Sequence, residues 1–111
     1  RLVSSSSASV YGDAVEEPMT EEHPYNNTNF YGATKIAGEH ICRFLYHRYK
    51  ETDKHFDYVG LRYMNVYGAR QDYHGAYIAV IMKILDRLDK GLPPIVYGDG
   101  SQAYDFIYVS D

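Results

Sequence analysis

A tyrosine and a lysine four residues apart, Tyr31 and Lys35, could together form a proton-transfer group. If Tyr31 lies in the first turn of a helix, Lys35 follows one turn later on the same face. An ammonium beside a phenol stabilises the phenolate, and the positive end of the helix dipole acts in the same direction. The spacing therefore predicts a group that transfers protons near working pH.

The spacing alone is weakly specific, because the chain contains 13 tyrosines among 111 residues. A second pair with the same spacing, Tyr46 and Lys50, lies about 22 Å further along the same predicted helix, and we interpret it as part of a solvated face. The setting distinguishes Tyr31. A loop rich in Pro, Asn and Thr leads into it, and a serine-rich strand precedes that loop.

The elements around Tyr31 indicate a strand, a helix and a second strand. Residues 2–12 are typical of a buried strand that runs into a Gly-Asp turn, and residues 56–68 of another strand. This order predicts a parallel unit with a right-handed crossover, so Ser7 and Asn65 should emerge at the same edge of the sheet. Ligands bind at that edge in open α/β sheets. Ser7 and Asn65 could equally be turn formers there.

Two helices are predicted from apolar periodicity. The first should run from about residue 30 to residue 49 after an N-cap at Asn29 or Thr28. The second should cover residues 77–88 and end at Gly91. Strands are expected at residues 95–97 and 104–109, with a turn at residues 98–100. In the first helix we expect one buried face and one outward face. The buried face should contain Ala33, Ile36, Ala37, Ile41, Phe44 and Leu45. The outward face should contain Glu39, Arg43 and Lys50.

Composition excludes several classes of function. A net charge of −4 without a basic cluster argues against nucleic acid, and no apolar run is long enough to span a membrane. The single cysteine, Cys42, suits a reducing compartment and hence the cytoplasm, and we interpret it as a small core residue. The five histidines never pair at ligand spacing, so no metal site is expected.

The chain starts at Arg1 inside an apolar stretch and stops at Asp111 after a strand-like run. We therefore expect an interior segment of a longer protein, and we expect the segment alone to be inactive.

Four blocks in order make nearly the whole chain resemble a known family, the extended short-chain dehydrogenases/reductases. The likeness is to their sugar-nucleotide epimerase and dehydratase branch, of which UDP-galactose 4-epimerase is the best-known member. Each block is weak alone, whereas their order and spacing together are specific. The blocks are Ser-Ser-Ser-Ala-Ser-Val-Tyr-Gly at 5–12, Tyr-Gly-Ala-Thr-Lys at 31–35, Leu-Arg-Tyr-Met-Asn-Val-Tyr-Gly at 61–68, and Gly-Asp-Gly-Ser-Gln at 98–102 with Asp-Phe-Ile-Tyr-Val at 105–109.

The resemblance implies roles for individual residues. The family's catalytic serine, tyrosine base and lysine fall on Ser7, Tyr31 and Lys35. In the family the tyrosine exchanges a proton with a sugar hydroxyl while hydride moves to and from nicotinamide. The implied cofactor-binding residues are Ser5, Ser7, Tyr31, Lys35 and Met64, and the implied substrate-binding residues are Ser7, Asn65, Ile95, Tyr97 and Tyr104.

Two positions depart from the family pattern. The 4,6-dehydratases carry Asp-Glu directly after the hydroxyl residue, whereas this chain has Ala8 and Ser9, which disfavours dehydration by that route. Tyr104 stands where many relatives carry an arginine that pairs with the diphosphate. A tyrosine can hydrogen-bond but supplies no positive charge.

As a whole, the resemblance implies an α/β fold, the C-terminal half of a Rossmann-type doubly wound parallel sheet. Residues 1–111 would be a partial NAD(P)-binding epimerase/dehydratase domain without its glycine-rich half, and about residues 69–111 would contribute to a small substrate-binding region. NAD is the implied cofactor, with NADP left open. A nucleotide sugar is the implied substrate, and a homodimer through the helix at residues 30–49 is the implied assembly, although Phe44 and Tyr46 could equally pack on their own sheet.

We therefore expect an NAD-dependent sugar-nucleotide epimerase that acts by transient oxidation at C4 of the sugar, as in interconversion of UDP-glucose and UDP-galactose. Within the same family, a dehydratase, reductase or decarboxylase is the alternative. A non-catalytic dinucleotide-binding relative is an alternative of another class. Retention of Ser7, Tyr31 and Lys35 argues against it, because such a protein has no chemical need for all three.

Overall fold

A computed structural model describes residues 1–72 and 79–111 of the chain. The chain divides into two compact units, Arg1–Tyr63 and Met64–Asp111. Within the described residues, each unit contains a two-stranded parallel sheet and one α-helix. The α/β class and the parallel strands that the sequence predicts are therefore confirmed.

The first unit is the predicted strand, helix, strand arrangement. Strand β1, Leu2–Ser7, pairs in parallel with strand β2, Tyr58–Tyr63, and the register runs from Leu2 opposite Tyr58 to Ser7 opposite Tyr63. Helix α1, Phe30–Tyr49, connects them and packs against both strands. A short 3-10 helix, Ala8–Val10, directly follows β1. The carboxyl ends of β1 and β2 consequently meet at one edge, as expected for a parallel pair.

Helix α1 has the predicted bounds, and its first turn is fixed by two local features. Asn29 is the N-cap, and its side-chain oxygen accepts a hydrogen bond from the Gly32 N–H at 2.7 Å. Gly32 is buried so close to the 3-10 helix that a Cβ there would lie 2.5 Å from the Ser9 carbonyl oxygen. Only glycine permits this approach, which brings the start of α1 to the end of β1.

The loop between β1 and α1 is tied back to the end of the strand. His23, only 3% exposed, accepts a hydrogen bond at Nε2 from the Val15 N–H at 3.0 Å. Its Nδ1 then carries the proton and donates to the Pro24 carbonyl at 2.8 Å. The Asn26 N–H donates to the Val10 carbonyl at 3.3 Å, and Val10 is fully buried. The loop thus encloses the small core at the end of β1.

The second unit contains strand β3, Asn65–Tyr67, paired in parallel with strand β4, Phe106–Tyr108, and helix α2, Val80–Asp89. Gly91, at φ +68°, ends α2 as predicted: its N–H donates to the Leu88 carbonyl and the next N–H donates to the Arg87 carbonyl. The first two positions of the predicted second helix, 77 and 78, lie outside the described residues. No helix in the described ranges is long and apolar enough to cross a membrane.

Two strand predictions are wrong. Residues 56–68 are not one strand, because Met64 interrupts them and leaves β2 and β3 in separate sheets. The physical reason is that β1 ends opposite Tyr63, so pairing with it stops there. Residues 95–97 form no strand, since no described segment pairs with them and the preceding Pro93 and Pro94 offer no N–H donors.

Two burial predictions are also wrong. Leu2 and Val3 of β1 are 40% and 56% exposed, because β2 is the only strand that pairs with β1 in the described part of the chain. On α1, Ile41 and Phe44 are 61% and 65% exposed, whereas Glu39, expected to face outward, is 6% exposed. The side of α1 that faces the strands therefore includes a carboxylate.

Candidate active site

Tyr31 and Lys35 are neighbours in the first turns of α1, as their spacing predicts. The Lys35 ammonium lies 5.4 Å from the centre of the Tyr31 ring. Tyr31 is 54% exposed, and its hydroxyl has no hydrogen-bond partner within residues 1–72 and 79–111. The phenol is therefore accessible to a ligand and has a cation at its side.

Lys35 also connects α1 to β1. Its Nζ donates a hydrogen bond to the Ser5 carbonyl oxygen at 2.8 Å. An ammonium carries three N–H donors, so two remain for other acceptors. The contact holds the positive charge beside the C-terminal half of β1 and places Ser5, one of the predicted cofactor-binding residues, against the lysine.

Ser7 is the last residue of β1 and is half-buried. Its Oγ accepts a hydrogen bond from the Ser9 N–H at 3.1 Å, so the hydroxyl proton remains available for donation. The close packing of Gly32 on the Ser9 carbonyl brings the start of α1 to this end of the strand. Ser7, Tyr31 and Lys35 thus lie on elements that meet at one edge of the sheet.

Behind this edge lies a buried carboxylate that sequence reasoning missed. Glu39 Oε1 accepts a short hydrogen bond from the Ser6 hydroxyl, and Oε2 accepts one from the Tyr25 hydroxyl at 2.7 Å. Arg62 of β2 completes the set with Nε to Oε1 at 3.0 Å and Nη2 to Oε2 at 2.8 Å. One carboxylate therefore joins β1, the loop, α1 and β2.

Arg62 is held on all sides. Besides its two-pronged contact with Glu39, its Nη1 donates to the Glu21 carbonyl at 3.1 Å. Its guanidinium lies 4.9 Å from the centre of the Tyr11 ring and 5.2 Å from that of Tyr25. The side chains of Arg62 and Glu39 are 13% and 7% exposed. This is a desolvated ion pair with fixed geometry.

The contacts of Glu39 change its acidity. Burial alone raises the pKa of a carboxyl group, but the hydrogen bonds that Glu39 accepts, first of all from Arg62, outweigh burial and lower its pKa from 4.5 to about 2. The same pairing raises the pKa of Arg62 above its ordinary value. Burial, followed by the contact with Glu39, raises the pKa of Tyr25. The carboxylate therefore stays ionised in the folded protein.

We predict that this pair makes the protein sensitive to acid. The folded pKa of Glu39, about 2, lies below the unfolded value, so its stabilisation is complete above about pH 5 and disappears as pH falls toward 2. A shift of this size corresponds to about 3 kcal/mol. Denaturant unfolding of the intact protein between pH 6 and pH 3 checks this. Glu39→Gln should flatten the pH dependence, and Glu51→Gln, at an exposed carboxylate, should leave it unchanged; equal slopes for all three proteins would contradict the prediction.

Two sequence signals single out Glu39 and Arg62, although neither predicts that Glu39 is buried or which residues bind it. Glu39 lies four residues after Lys35 and eight after Tyr31, hence on the same side of the helix. Arg62 is a charged residue within an otherwise apolar strand sequence, where a partner is required. The partners are distant in sequence, 33 residues for Ser6 and 23 for Arg62, so the apolar pattern of α1 contained no sign of them.

The remaining predicted site residues belong to the second unit. Met64 is half-buried, and the Asn65 side chain donates to the Asp105 carbonyl at 3.1 Å, which fixes its amide beside β4. Ile95 and Tyr97 line a cavity of about 430 Å³ together with residues of α2, including Lys83 and Arg87. The structure thus brings Ile95 and Tyr97 together. Tyr104 packs edge-on against Phe106, with ring centres 6.4 Å apart, and is 59% exposed.

The chain resembles known proteins along its whole length. Residues 1–111 match the model of the NAD dependent epimerase/dehydratase family. A putative UDP-glucose 4-epimerase from Methanocaldococcus jannaschii is 42% identical over 110 residues, which are 99% of this chain and 34% of that protein.

Solved structures agree with this match. The UDP-N-acetylglucosamine 4-epimerase from Methanobrevibacter ruminantium M1, in complex with UDP-N-acetylmuramic acid, superposes with a TM-score of 0.87 at 39% identity over 96% of this chain and 33% of that one. The UDP-glucuronic acid 4-epimerase from Bacillus cereus, in complex with NAD, gives a TM-score of 0.78 at 31% identity over 97% and 32% of the two chains.

The chain spans about a third of the length of these relatives, 34% of the first and 33% and 32% of the two structures. The likeness extends across both units and confirms the resemblance that the four sequence blocks indicate. Since the family model covers every residue, the chain belongs to the NAD-dependent epimerase/dehydratase family.

Proposed function

We propose that the protein containing this chain is an NAD-dependent sugar-nucleotide 4-epimerase, with UDP-glucose or UDP-N-acetylglucosamine as the substrates to test first. The observation that carries the proposal is the exposed Tyr31 hydroxyl with the Lys35 ammonium 5.4 Å from its ring, at the edge where β1 ends. The family membership and the 4-epimerases among the relatives support the choice of reaction.

The residues present fit a nicotinamide cofactor. After its bond to the Ser5 carbonyl, Lys35 retains two N–H donors, which suit the hydroxyl pair of a ribose. Ser5 and Met64 would contribute through their backbones. When bound, NAD supplies an acceptor and donor of hydride for the sugar carbon.

The proton chemistry falls to three side chains. Tyr31, as phenolate, accepts the proton from the C4 hydroxyl when that carbon is oxidised, and it returns the proton when the carbon is reduced on the other face. Lys35 stabilises the phenolate through its charge. Ser7 donates its free hydroxyl proton in a hydrogen bond to the same sugar oxygen. Protons and hydride balance over the full cycle, as an isomerisation requires.

Epimerisation is favoured over dehydration because of the residues that follow Ser7. Removal of water needs an acid and a base beside the sugar, and in 4,6-dehydratases the expected positions carry Asp-Glu. Here Ala8 and Ser9 occupy them and form the first part of the 3-10 helix, which contains no acidic side chain. This segment therefore offers no group for elimination.

The second unit would bind the nucleotide part of the substrate. Its cavity of about 430 Å³ has apolar Ile95, aromatic Tyr97 and basic Lys83 and Arg87 in the lining, and the carboxylate of Asp86, also in the lining, is paired with Lys90. This lining suits a base and its phosphates. Asn65 would contact the diphosphate. Tyr104 would contribute a neutral hydrogen bond where many relatives carry an arginine. The positive charge that neutralises the phosphates would then come from Lys83 and Arg87 of the cavity.

We further propose that the protein is a homodimer through α1. The outward side of this helix is unusually apolar: Phe30, Ile41 and Phe44 are 86%, 61% and 65% exposed. A second copy of the same helix would cover these side chains in an isologous contact. Sedimentation of the intact protein tests this, and a monomer at micromolar concentration would contradict it.

The proposed reaction is tested by incubating the intact protein and NAD with UDP-glucose and, separately, UDP-N-acetylglucosamine. Formation of the C4 epimer without net reduction of NAD is the expected result. A 4-keto-6-deoxy product would instead assign the protein to the dehydratases of the family. Bound NAD with no product from either sugar nucleotide would favour a non-catalytic relative.

A further inference from the structure

Glu39 has no place in the proton chemistry proposed above, yet its carboxylate joins four segments of the first unit through hydrogen bonds. It lies eight residues after Tyr31, which is about 12 Å along the helix, too far to touch a sugar bound at the phenol. It is 6% exposed and accepts hydrogen bonds from three side chains. A buried carboxylate costs free energy unless its partners compensate, so its presence on this side of α1 calls for a physical reason.

The reason lies in the positions of the bonds along α1. Tyr31, Lys35 and Glu39 follow one another at four-residue intervals on one side of the helix. Lys35 is bonded to the Ser5 carbonyl at 2.8 Å, and Glu39 is bonded to the Ser6 hydroxyl in the next turn. Two successive turns of α1 are thus joined to two successive residues of β1, and Ser7 comes next on that strand.

We propose that Glu39 is a positioning residue for the active site: its bonds to Ser6 and Arg62 fix the register of α1 on β1 and thereby hold Lys35 and Tyr31 relative to Ser7. The inference rests on the proposed function for its kinetic consequences and on the geometry alone for its structural ones. Glu39 acts through the elements it joins and touches no reacting atom.

The rigidity of this anchor comes from its partners. Arg62 approaches the carboxylate with a two-pronged contact and is itself fixed by the Glu21 carbonyl and by the faces of two tyrosine rings. A single methylene change at Glu39 consequently cannot be absorbed by rotation of the arginine. The displacement must therefore pass to α1, whose neighbouring turn is joined to β1 through the single hydrogen bond from Lys35 to the Ser5 carbonyl.

The test is Glu39→Asp in the intact protein. Aspartate keeps the charge and the ion pair, so the protein should fold, but its carboxylate is about 1.5 Å shorter in reach. Displacement of a catalytic group by about this distance lowers turnover strongly, so we expect kcat to fall at least about tenfold with KM unchanged. The pH profile of kcat should also move, because a Lys35 ammonium released from the Ser5 carbonyl is no longer held beside the Tyr31 ring. Glu51→Asp, an exposed carboxylate just after the same helix, is the matched control and should leave both unchanged.

The outcomes separate this inference from the proposed function. If Glu39→Asp has wild-type kcat and pH profile per folded molecule, Glu39 is merely structural and the inference is overturned. If the wild-type protein converts no sugar nucleotide, the proposed function fails, and a crystal structure of Glu39→Asp decides the inference instead. In the Glu39→Asp structure we expect the bond between Lys35 Nζ and the Ser5 carbonyl to be lost. A bond that remains at 2.8 Å would overturn the inference.

Discussion

Arg62→Met is expected to lower the free energy of unfolding by about 3–5 kcal/mol, because it leaves the Glu39 carboxylate buried without its cation. Methionine retains much of the side-chain volume but none of the donors. The substitution removes the two-pronged contact with Glu39, the bond to the Glu21 carbonyl and the guanidinium beside Tyr11 and Tyr25. Its effect should exceed that of removing any exposed ion pair in the described residues.

Denaturant unfolding of the intact protein measures this difference. Lys90→Met is the matched control, because Lys90 pairs with Asp86 at 2.7 Å on an exposed helix turn and should contribute about 0.5 kcal/mol or less. The double variant Glu39→Leu with Arg62→Met removes both charges and should recover much of the loss. A loss for Arg62→Met no larger than that for Lys90→Met would contradict a desolvated pair.

Local signals were sufficient to predict α1. Its bounds follow from the polar loop, the Asn29 cap and the apolar periodicity, and the structure confirms residues 30 and 49 as its ends. The parallel pairing of β1 and β2 was equally accessible, because a strand, helix, strand order admits few topologies. These properties depend on neighbours in sequence or on general rules of chain connection.

Properties that depend on distant residues were not accessible. The burial of Glu39 requires Ser6, Tyr25 and Arg62, whose distances along the chain are 33, 14 and 23 residues. The interruption at Met64 depends on where β1 ends, which the sequence of residues 56–68 does not contain. Apolar periodicity presumes that the buried side of a helix is apolar, and a paired carboxylate violates that presumption.

The candidate site illustrates both situations. Spacing identified Tyr31 and Lys35, but it identified Tyr46 and Lys50 equally well. The structure distinguishes the pairs: Lys35 is bonded to β1 beside an exposed phenol, whereas Lys50 pairs with Glu51 at 3.8 Å and the Tyr46 ring packs against His47. The difference arises from β1, whose approach to the start of α1 depends on Gly32.

Tyr31→Phe is expected to lower kcat by about 10²–10⁴, because it removes the group that exchanges a proton with the sugar hydroxyl. The substitution keeps the ring that lies 5.4 Å from the Lys35 ammonium, and the Tyr31 hydroxyl has no protein partner to lose within the described residues. Folding and NAD binding should therefore be unchanged. Stability measured alongside activity separates loss of chemistry from loss of structure.

The central claim is that the phenol of Tyr31, and no other tyrosine of α1, is the proton-transfer group. Turnover of the intact protein with NAD and its preferred sugar nucleotide, measured for wild type, Tyr31→Phe and Tyr46→Phe, tests it most directly. The account predicts that Tyr31→Phe loses nearly all turnover with NAD still bound, and that Tyr46→Phe matches wild type. Wild-type turnover in Tyr31→Phe would contradict it.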